Sequence, residues 1–249
     1  FHYNGRSHAV MMATPADLED FAVGFSLAES LVASAQDITD IQVRPAAGDG
    51  IDVHITTRGG AADTDPGKHH HRLTGPSGCG LCGVQCTQNA LRPVQWVRRP
   101  VARWTAETVA MAMQRLQGAQ QLNRQARALH AAGFWAPGPQ GGLVAVREDI
   151  GRHCALDKLA GALARQGVHG GGGAVLLTSR VSLELVQKTA RLGACLLIAV
   201  SAPTALAVRT AQAAGITLIA VARGAVFEVF THPERVAGAE APRQALAAA

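Results

Sequence analysis

From Leu143 to Val221 the chain repeats one pattern: a short apolar run, a polar turn, then apolar residues at helical spacing. That alternation restricts the fold more than any other feature. Leu143 to Val146 reads as a strand, and Ala174 to Thr178 is a continuous apolar run of the kind found in a strand buried on both faces. Between them Ala155, Leu156, Leu159, Ala160 and Leu163 mark a helix. A helix from about Ser182 to near Gly193, a strand from Cys195 to Val200, a helix from about Pro203 to Ala214 closed by Gly215, and a strand from Ile216 to Val221 follow. Strands joined through helices at this spacing imply right-handed crossovers, so an α/β domain with a mostly parallel sheet is expected. After Arg223-Gly224 a short strand, Val226 to Phe230, folds back.

The first stretch has a different rhythm and predicts a small α+β unit. Thr14-Pro15 opens a helix, with a capping residue before proline at the first helical position, and Leu18, Phe21, Ala22, Phe25 and Leu31 share one face. Ile38 to Arg44 is a strand, and Ile51, Val53 and Ile55 alternate with polar neighbours in a second. Gly, Asp, Pro, Lys and His then dominate a connection running to a cysteine loop. The expected organisation is a small α+β domain over 1–72, an α/β domain over 73–235 that begins with that loop, and a frayed Ala-rich tail over 236–249.

The loop, Ser77-Gly78-Cys79-Gly80-Leu81-Cys82-Gly83, is the foremost candidate for chemistry. Cysteine usually packs as a small hydrophobe. Glycines around both thiols remove the side chains that would bury them. Five cysteines, at 79, 82, 86, 154 and 195, form no disulfide framework and read as free thiols of a reducing compartment. Cys195 falls in a buried strand and is expected to be inert, and Cys86 and Cys154 to be packing residues.

A structural zinc site needs four ligands, and only Cys86 with one of His69, His70 or His71 lies near enough in sequence to complete one. An iron–sulfur cluster lacks a local fourth cysteine. A thioredoxin-like dithiol usually sits near the start of a βαβ pattern, and no clear strand precedes this loop. A thiol that carries sulfur suits an exposed pair, provided nearby positive charge or N–H groups lower its pKa. Gly78, Gly80 and Gly83 also fit G-x-G-x-x-G, but that fingerprint has meaning only between a strand and a helix N-terminus. His232-Pro233-Glu234 matches half of the zinc-deaminase signature in the wrong order.

Three polar turns follow expected strands: Glu148-Asp149-Ile150-Gly151-Arg152-His153, Thr178-Ser179-Arg180-Val181-Ser182 and Arg223-Gly224-Ala225. Ligands of open α/β sheets bind at such strand ends, and hydroxyls and cations there suit phosphate. The first two turns are equally readable as helix caps. The formal charge of +5 suits an anionic partner. Aromatic residues are too scarce, and basic helices too absent, for a nucleic-acid platform. No apolar run reaches the roughly 18 residues of a membrane span.

Taken together, Tyr3-Asn4-Gly5, Met11-Met12-Ala13-Thr14-Pro15, Gly78-Cys79-Gly80-Leu81-Cys82-Gly83-Val84, Arg147 to Lys158, Ser179 to Lys188, Ala199 to Pro203 and Phe230 to Arg235 resemble, in order, the formate dehydrogenase accessory sulfurtransferase (FdhD) family. The resemblance implies a larger domain similar to the three-layer cytidine deaminase fold, without deaminase chemistry. It implies a cytoplasmic homodimer that takes persulfide sulfur from a cysteine desulfurase. The sulfur is delivered to the molybdenum bis(molybdopterin guanine dinucleotide) cofactor, bound as a substrate, on behalf of formate dehydrogenase. Cys79 is then the persulfide-bearing residue and Cys82 its partner, while Val221, Ala222, Arg223, Gly224, Ala225 and Val226 form the cofactor-binding segment. No permanently bound metal is implied. A cofactor-binding chaperone without sulfur transfer is the main alternative, ahead of a CxxC redox or zinc-binding module. Two departures stand out. Ala126-Arg127-Ala128 replaces a Thr-Gly-Gly-like turn, and Val226 stands where some members carry a second basic residue, shifting weight to Arg223, Arg180 or Lys188.

Overall fold

The computed structural model describes residues 1–58, 94, 96–97, 104–136, 138 and 141–238. They divide between two units: Phe1–Arg92 with Asp157–Val168, and Pro93–Leu156 with His169–Ala249. Asp157–Val168, which the sequence pattern leaves within the larger domain, thus packs in the first unit.

In the first unit β1 (His2–Tyr3), β2 (Arg6–Ser7), β3 (Ile38–Pro45) and β4 (Ile51–Thr57) form a sheet in the order β2-β1-β4-β3. Helix α1 spans Leu18–Ala28. It starts later than the Thr14-Pro15 signal suggests, because Ala16 donates to the Thr14 carbonyl in a tight turn and Asp17, at φ 52°, takes the N-cap position. Leu31 consequently lies beyond the helix. Phe21 and Phe25 are buried as expected, and both rings meet Phe1 at centroid distances of 5.0 Å. Tyr3 closes the inner face, its hydroxyl 2.7 Å from Ser26 Oγ, and burial pushes the phenol's pKa up.

Helix α4 (Arg152–Arg165) brings its later turns against α1. Glycine is required at the crossing. A β-carbon on Gly24 would lie 1.7 Å from the Asp157 carbonyl oxygen, and one on Gly161 would lie 1.8 Å from that of Asp20. Lys158 is fully buried, donating to the Thr14 carbonyl at 2.8 Å with its ammonium 5.7 Å from the Phe21 ring centroid. Arg165 holds Asp20 and Glu19, each at 2.7 Å.

In the second unit β6 (His130–Ala136), β7 (Gly142–Asp149), β8 (Ala174–Leu177), β9 (Leu196–Ala199), β10 (Thr217–Arg223) and β11 (Val226–Val229) form one sheet, ordered β11-β10-β9-β8-β6-β7. The α/β class is as the sequence predicts. The parallel character, however, is confined to β8-β9-β10, and the β10–β11, β8–β6 and β6–β7 pairs are antiparallel. The strand that makes the sheet mixed is β6, which sequence periodicity passes over because Gly133 and small residues interrupt it. Gly133 has a packing reason: a β-carbon there would meet Leu116 at 2.8 Å and Leu143 at 3.2 Å. Leu116 belongs to α2 (Ala106–Ala119), capped by the Thr105 side chain and packed along β6, β7, β8 and β10.

A short helix, α3 (Gln121–Ala126), follows. The crossovers α5 (Leu183–Arg191) and α6 (Ala205–Ala214) pack on each other, with Thr204 and Gly215 as the caps of α6. Val236 and Ala237, assigned by sequence to a frayed tail, form β12 and pair with β5 (Trp104–Thr105); Val236 is buried.

Candidate functional site

Because β6 and β7 are antiparallel to each other and β6 is antiparallel to β8, β7 runs in the same direction as the parallel trio. The ends of β7, β8 and β10 therefore share one edge of the sheet, and the start of β6 joins them. All three polar turns singled out by sequence lie there. Four strand spacings separate β10 from β7, so the edge is about 19 Å long.

At one end of this edge, Ala220 pairs with Glu228 but Arg223 pairs with Val226, and the register breaks between them. Val221 sits in the break at φ 53°, a left-handed conformation that is rare for a β-branched residue. Ala222 is buried, whereas Arg223, Gly224, Ala225 and Val226 are exposed. Gly224, at φ 61°, has open space where a side chain would project. The bulge thus turns Arg223 and a bare stretch of backbone toward solvent.

At the other end the two acids are committed to structure. Glu148 accepts from the N–H groups of Leu122 and Asn123, both at 2.8 Å, and so caps α3 rather than the helix that follows it in sequence. Asp149 is fully buried and accepts from the Gly151 N–H at 2.8 Å. Asp149 thus closes the turn ahead of α4, whereas Glu148 serves a helix that the sequence pattern does not connect with it.

What remains along the edge is cationic. His153, at the start of α4, lies 3.2 Å through Nδ1 from Glu184 Oε2, and the other Glu184 oxygen is 3.1 Å from Lys188 Nζ. Burial pushes the His153 pKa down to about 2, with Lys188, Arg152 and His130 acting in the same direction. His130 is likewise lowered, by burial first and then by Arg152 and Arg180. Both imidazoles are therefore neutral at physiological pH, chiefly because they are buried and secondarily because cations lie near them. Neither His130 nor the His153–Glu184–Lys188 chain is apparent in sequence. His130 lies on the unrecognised strand, and the chain joins two helices across the sheet edge.

Thr178 closes the seam, donating its backbone N–H to Ala131 O at 3.1 Å and accepting from the Ala131 N–H through its hydroxyl at 2.8 Å. His232-Pro233-Glu234 follows β11 and falls at the opposite edge, so it has no part in this site. Cys195 is fully buried, and burial pushes its thiol up to about 11; Cys154 is also buried, and neither is in a disulfide. Cys79 and Cys82, the expected nucleophile and its partner, lie outside the described residues, as does Cys86.

The FdhD/NarQ family model matches residues 1–237. The chain belongs to that family. A sulfur carrier protein FdhD from Agrobacterium fabrum is 49% identical over 236 residues, covering 95% of this chain and 86% of the relative. One of the same description from Cupriavidus necator is 46% identical over 235 residues, covering 94% and 80%. The fold is also that of a solved structure of a candidate formate dehydrogenase accessory protein from Desulfotalea psychrophila. Its TM-score is 0.72 at 23% identity, over 94% of this chain and 86% of that one. Within the family's matched span lie the cysteine loop, the sheet edge and the bulged end of β10. No helix among the described residues is long and apolar enough to cross a membrane.

Proposed function

We propose that this chain is a cytoplasmic, homodimeric sulfurtransferase. It accepts persulfide sulfur from a cysteine desulfurase and delivers it to molybdenum bis(molybdopterin guanine dinucleotide), the cofactor that formate dehydrogenase needs. In this reading the Cys79 thiolate attacks the terminal sulfur of the donor persulfide. A Cys79–sulfur bond forms as the donor S–S bond breaks, and the donor cysteine leaves as a thiolate. Cys82 then relays that sulfur or closes a disulfide with Cys79, releasing hydrosulfide. The molybdenum cofactor is the substrate, carried on Val221, Ala222, Arg223, Gly224, Ala225 and Val226.

The observation that carries the cofactor half of this reading is the left-handed Val221. Such a residue costs on the order of 1–3 kcal/mol and persists where its surroundings over-determine it, commonly at ligand clamps. Here the strain serves a turn that exposes Arg223 and bare backbone, groups suited to phosphate and to close approach by a large anion. The cationic remainder of the edge, through Arg180, Arg152 and Lys188, extends the same preference along a length suited to an elongated ligand.

The test uses labelled sulfur supplied through a cysteine desulfurase, with cofactor binding measured separately. Cys79→Ala is expected to lose the label, and Arg223→Glu to keep the label but lose cofactor binding. Undiminished labelling of the Cys79→Ala, Cys82→Ala double variant would overturn the sulfurtransferase reading in favour of a chaperone that only escorts the cofactor.

A further inference from the structure

The first unit carries a second cluster of ligating side chains, remote in function from sulfur transfer. His2 on β1 lies in direct register with His54 on β4, and Asp52 precedes His54 by two positions on the same face of its strand. The alternate positions, Tyr3, Val53 and Ile55, are buried on the other face. His2, Asp52 and His54 are each only half-buried, and their ligating atoms lie within 4.8 Å of one another. His2 Nε2 is 3.2 Å from Asp52 Oδ1, and the two imidazole rings stack at 4.6 Å with planes 16° apart.

We propose that His2, Asp52 and His54 form a binding site for a divalent first-row transition-metal ion, with zinc as its simplest occupant. Two imidazoles and one carboxylate are a recurrent set for such ions, and oxygen-seeking calcium or magnesium would find too few oxygens here. Zinc holds its ligands at about 2.0–2.1 Å, which sets neighbouring ligand atoms of a tetrahedron about 3.3 Å apart. The His2–Asp52 separation already matches one edge of that tetrahedron. Bringing His54 to the same distance needs only side-chain rotation, because the strand register holds its backbone beside His2.

The Phe1 ammonium donates to the Ala9 carbonyl and acts on Asp52 through its charge alone. Asp52 faces Arg44 across the β3–β4 ladder, but Arg44 donates to Gln42 and leaves Asp52 to His2. Three protein ligands leave at least one position to water. An ion in this place would pin the two-residue strand β1 to β4, adding the free energy of binding to the stability of the sheet.

The test measures zinc binding by equilibrium dialysis, and thermal unfolding with and without zinc, on the whole chain with its thiols alkylated. Alkylation removes the cysteine loop as a competitor, and the His69–His71 run is common to all variants compared. The wild type is expected to bind one equivalent more than His54→Gln or Asp52→Asn and to show a zinc-dependent rise in Tm that both variants lose. Both substitutions are near-isosteric at half-exposed positions, and thermal unfolding without zinc checks that each variant is folded. Equal zinc stoichiometry and equal Tm shifts in wild type and variants, or no zinc bound by the alkylated wild type, would overturn the proposal.

Discussion

Gly24 and Gly161 face each other so closely that a β-carbon on either would lie 2.8 Å from the other's amide nitrogen, and nearer still to a carbonyl of the opposing helix. No side-chain rotation relieves contacts of this kind, because the obstructing atoms are backbone. The crossing of α1 with the later turns of α4 therefore exists only for glycine at both positions. Gly24→Ala or Gly161→Ala is expected to force the helices apart and cost on the order of 3 kcal/mol or more. Denaturant unfolding should show a lower midpoint. Gly118→Ala, where nothing lies within 4 Å of the added carbon, is the control expected to leave the midpoint nearly unchanged.

The carboxylate of Glu148 accepts from the N–H groups of both Leu122 and Asn123 at the start of α3. Glu148→Ala would leave two donors to find water and is expected to cost about 2–3 kcal/mol. Glu148→Gln, which keeps one acceptor oxygen, should lose less. Hydrogen exchange at Leu122 and Asn123 reads the effect directly, and protection lost there before it is lost in β8 would identify the clasp.

Arg127 ends α3 at φ 53°, and its side chain is exposed. Glycine adopts this conformation without the steric cost that a β-carbon brings. Arg127→Gly is therefore expected to stabilise the chain by about 0.5–1 kcal/mol, seen as a rise in Tm. A fall would mean that the arginine makes contacts the α-left geometry does not reveal.

His153 makes stability depend on pH with a definite sign. Its folded pKa of about 2 lies below the ordinary 6.5, so between those values the unfolded chain binds the proton that the folded chain refuses. The contribution of the neutral imidazole is fully present above pH 6.5 and is lost as pH falls toward 2. Where only the unfolded state is protonated, the slope approaches about 1.4 kcal/mol per pH unit. His153→Gln should flatten the acid side of the stability curve, and an unchanged slope would place the titration elsewhere.

The sequence announces the parallel centre of the large sheet clearly. Continuous apolar runs at β8, β9 and β10 leave no amphipathic alternation to misread, and Thr204 and Gly215 mark both ends of α6. The three strand-end turns were legible for the same reason, since each follows a recognisable strand. β6 was not legible, because Gly133 looks like punctuation until Leu116 and Leu143 are seen against it. With β6 unread, the sheet looked mostly parallel and His130 had no place at its edge. Glu148 stands out in the sequence, but its partners at Leu122 and Asn123 precede it by a strand and a turn that no local pattern connects. The cluster of His2, Asp52 and His54 shows the same limit: nothing local relates His2 to Asp52 across 50 residues. Only the pairing of β1 with β4 brings them together.

The discontinuity of the first unit bears on when that unit can exist at all. Its helix α1 needs Gly161 to cross against, its Thr14 carbonyl is held by Lys158, and its Asp20 is held by Arg165. A nascent chain released only as far as Arg92 lacks all three. The N-terminal sheet and helix must therefore wait, incomplete, until synthesis has passed α4. A fragment cut at Arg92 should show little native far-UV circular dichroism or cooperative melting. Any working truncation or fusion of this protein has to treat the stretch from Phe1 to Val168 as indivisible.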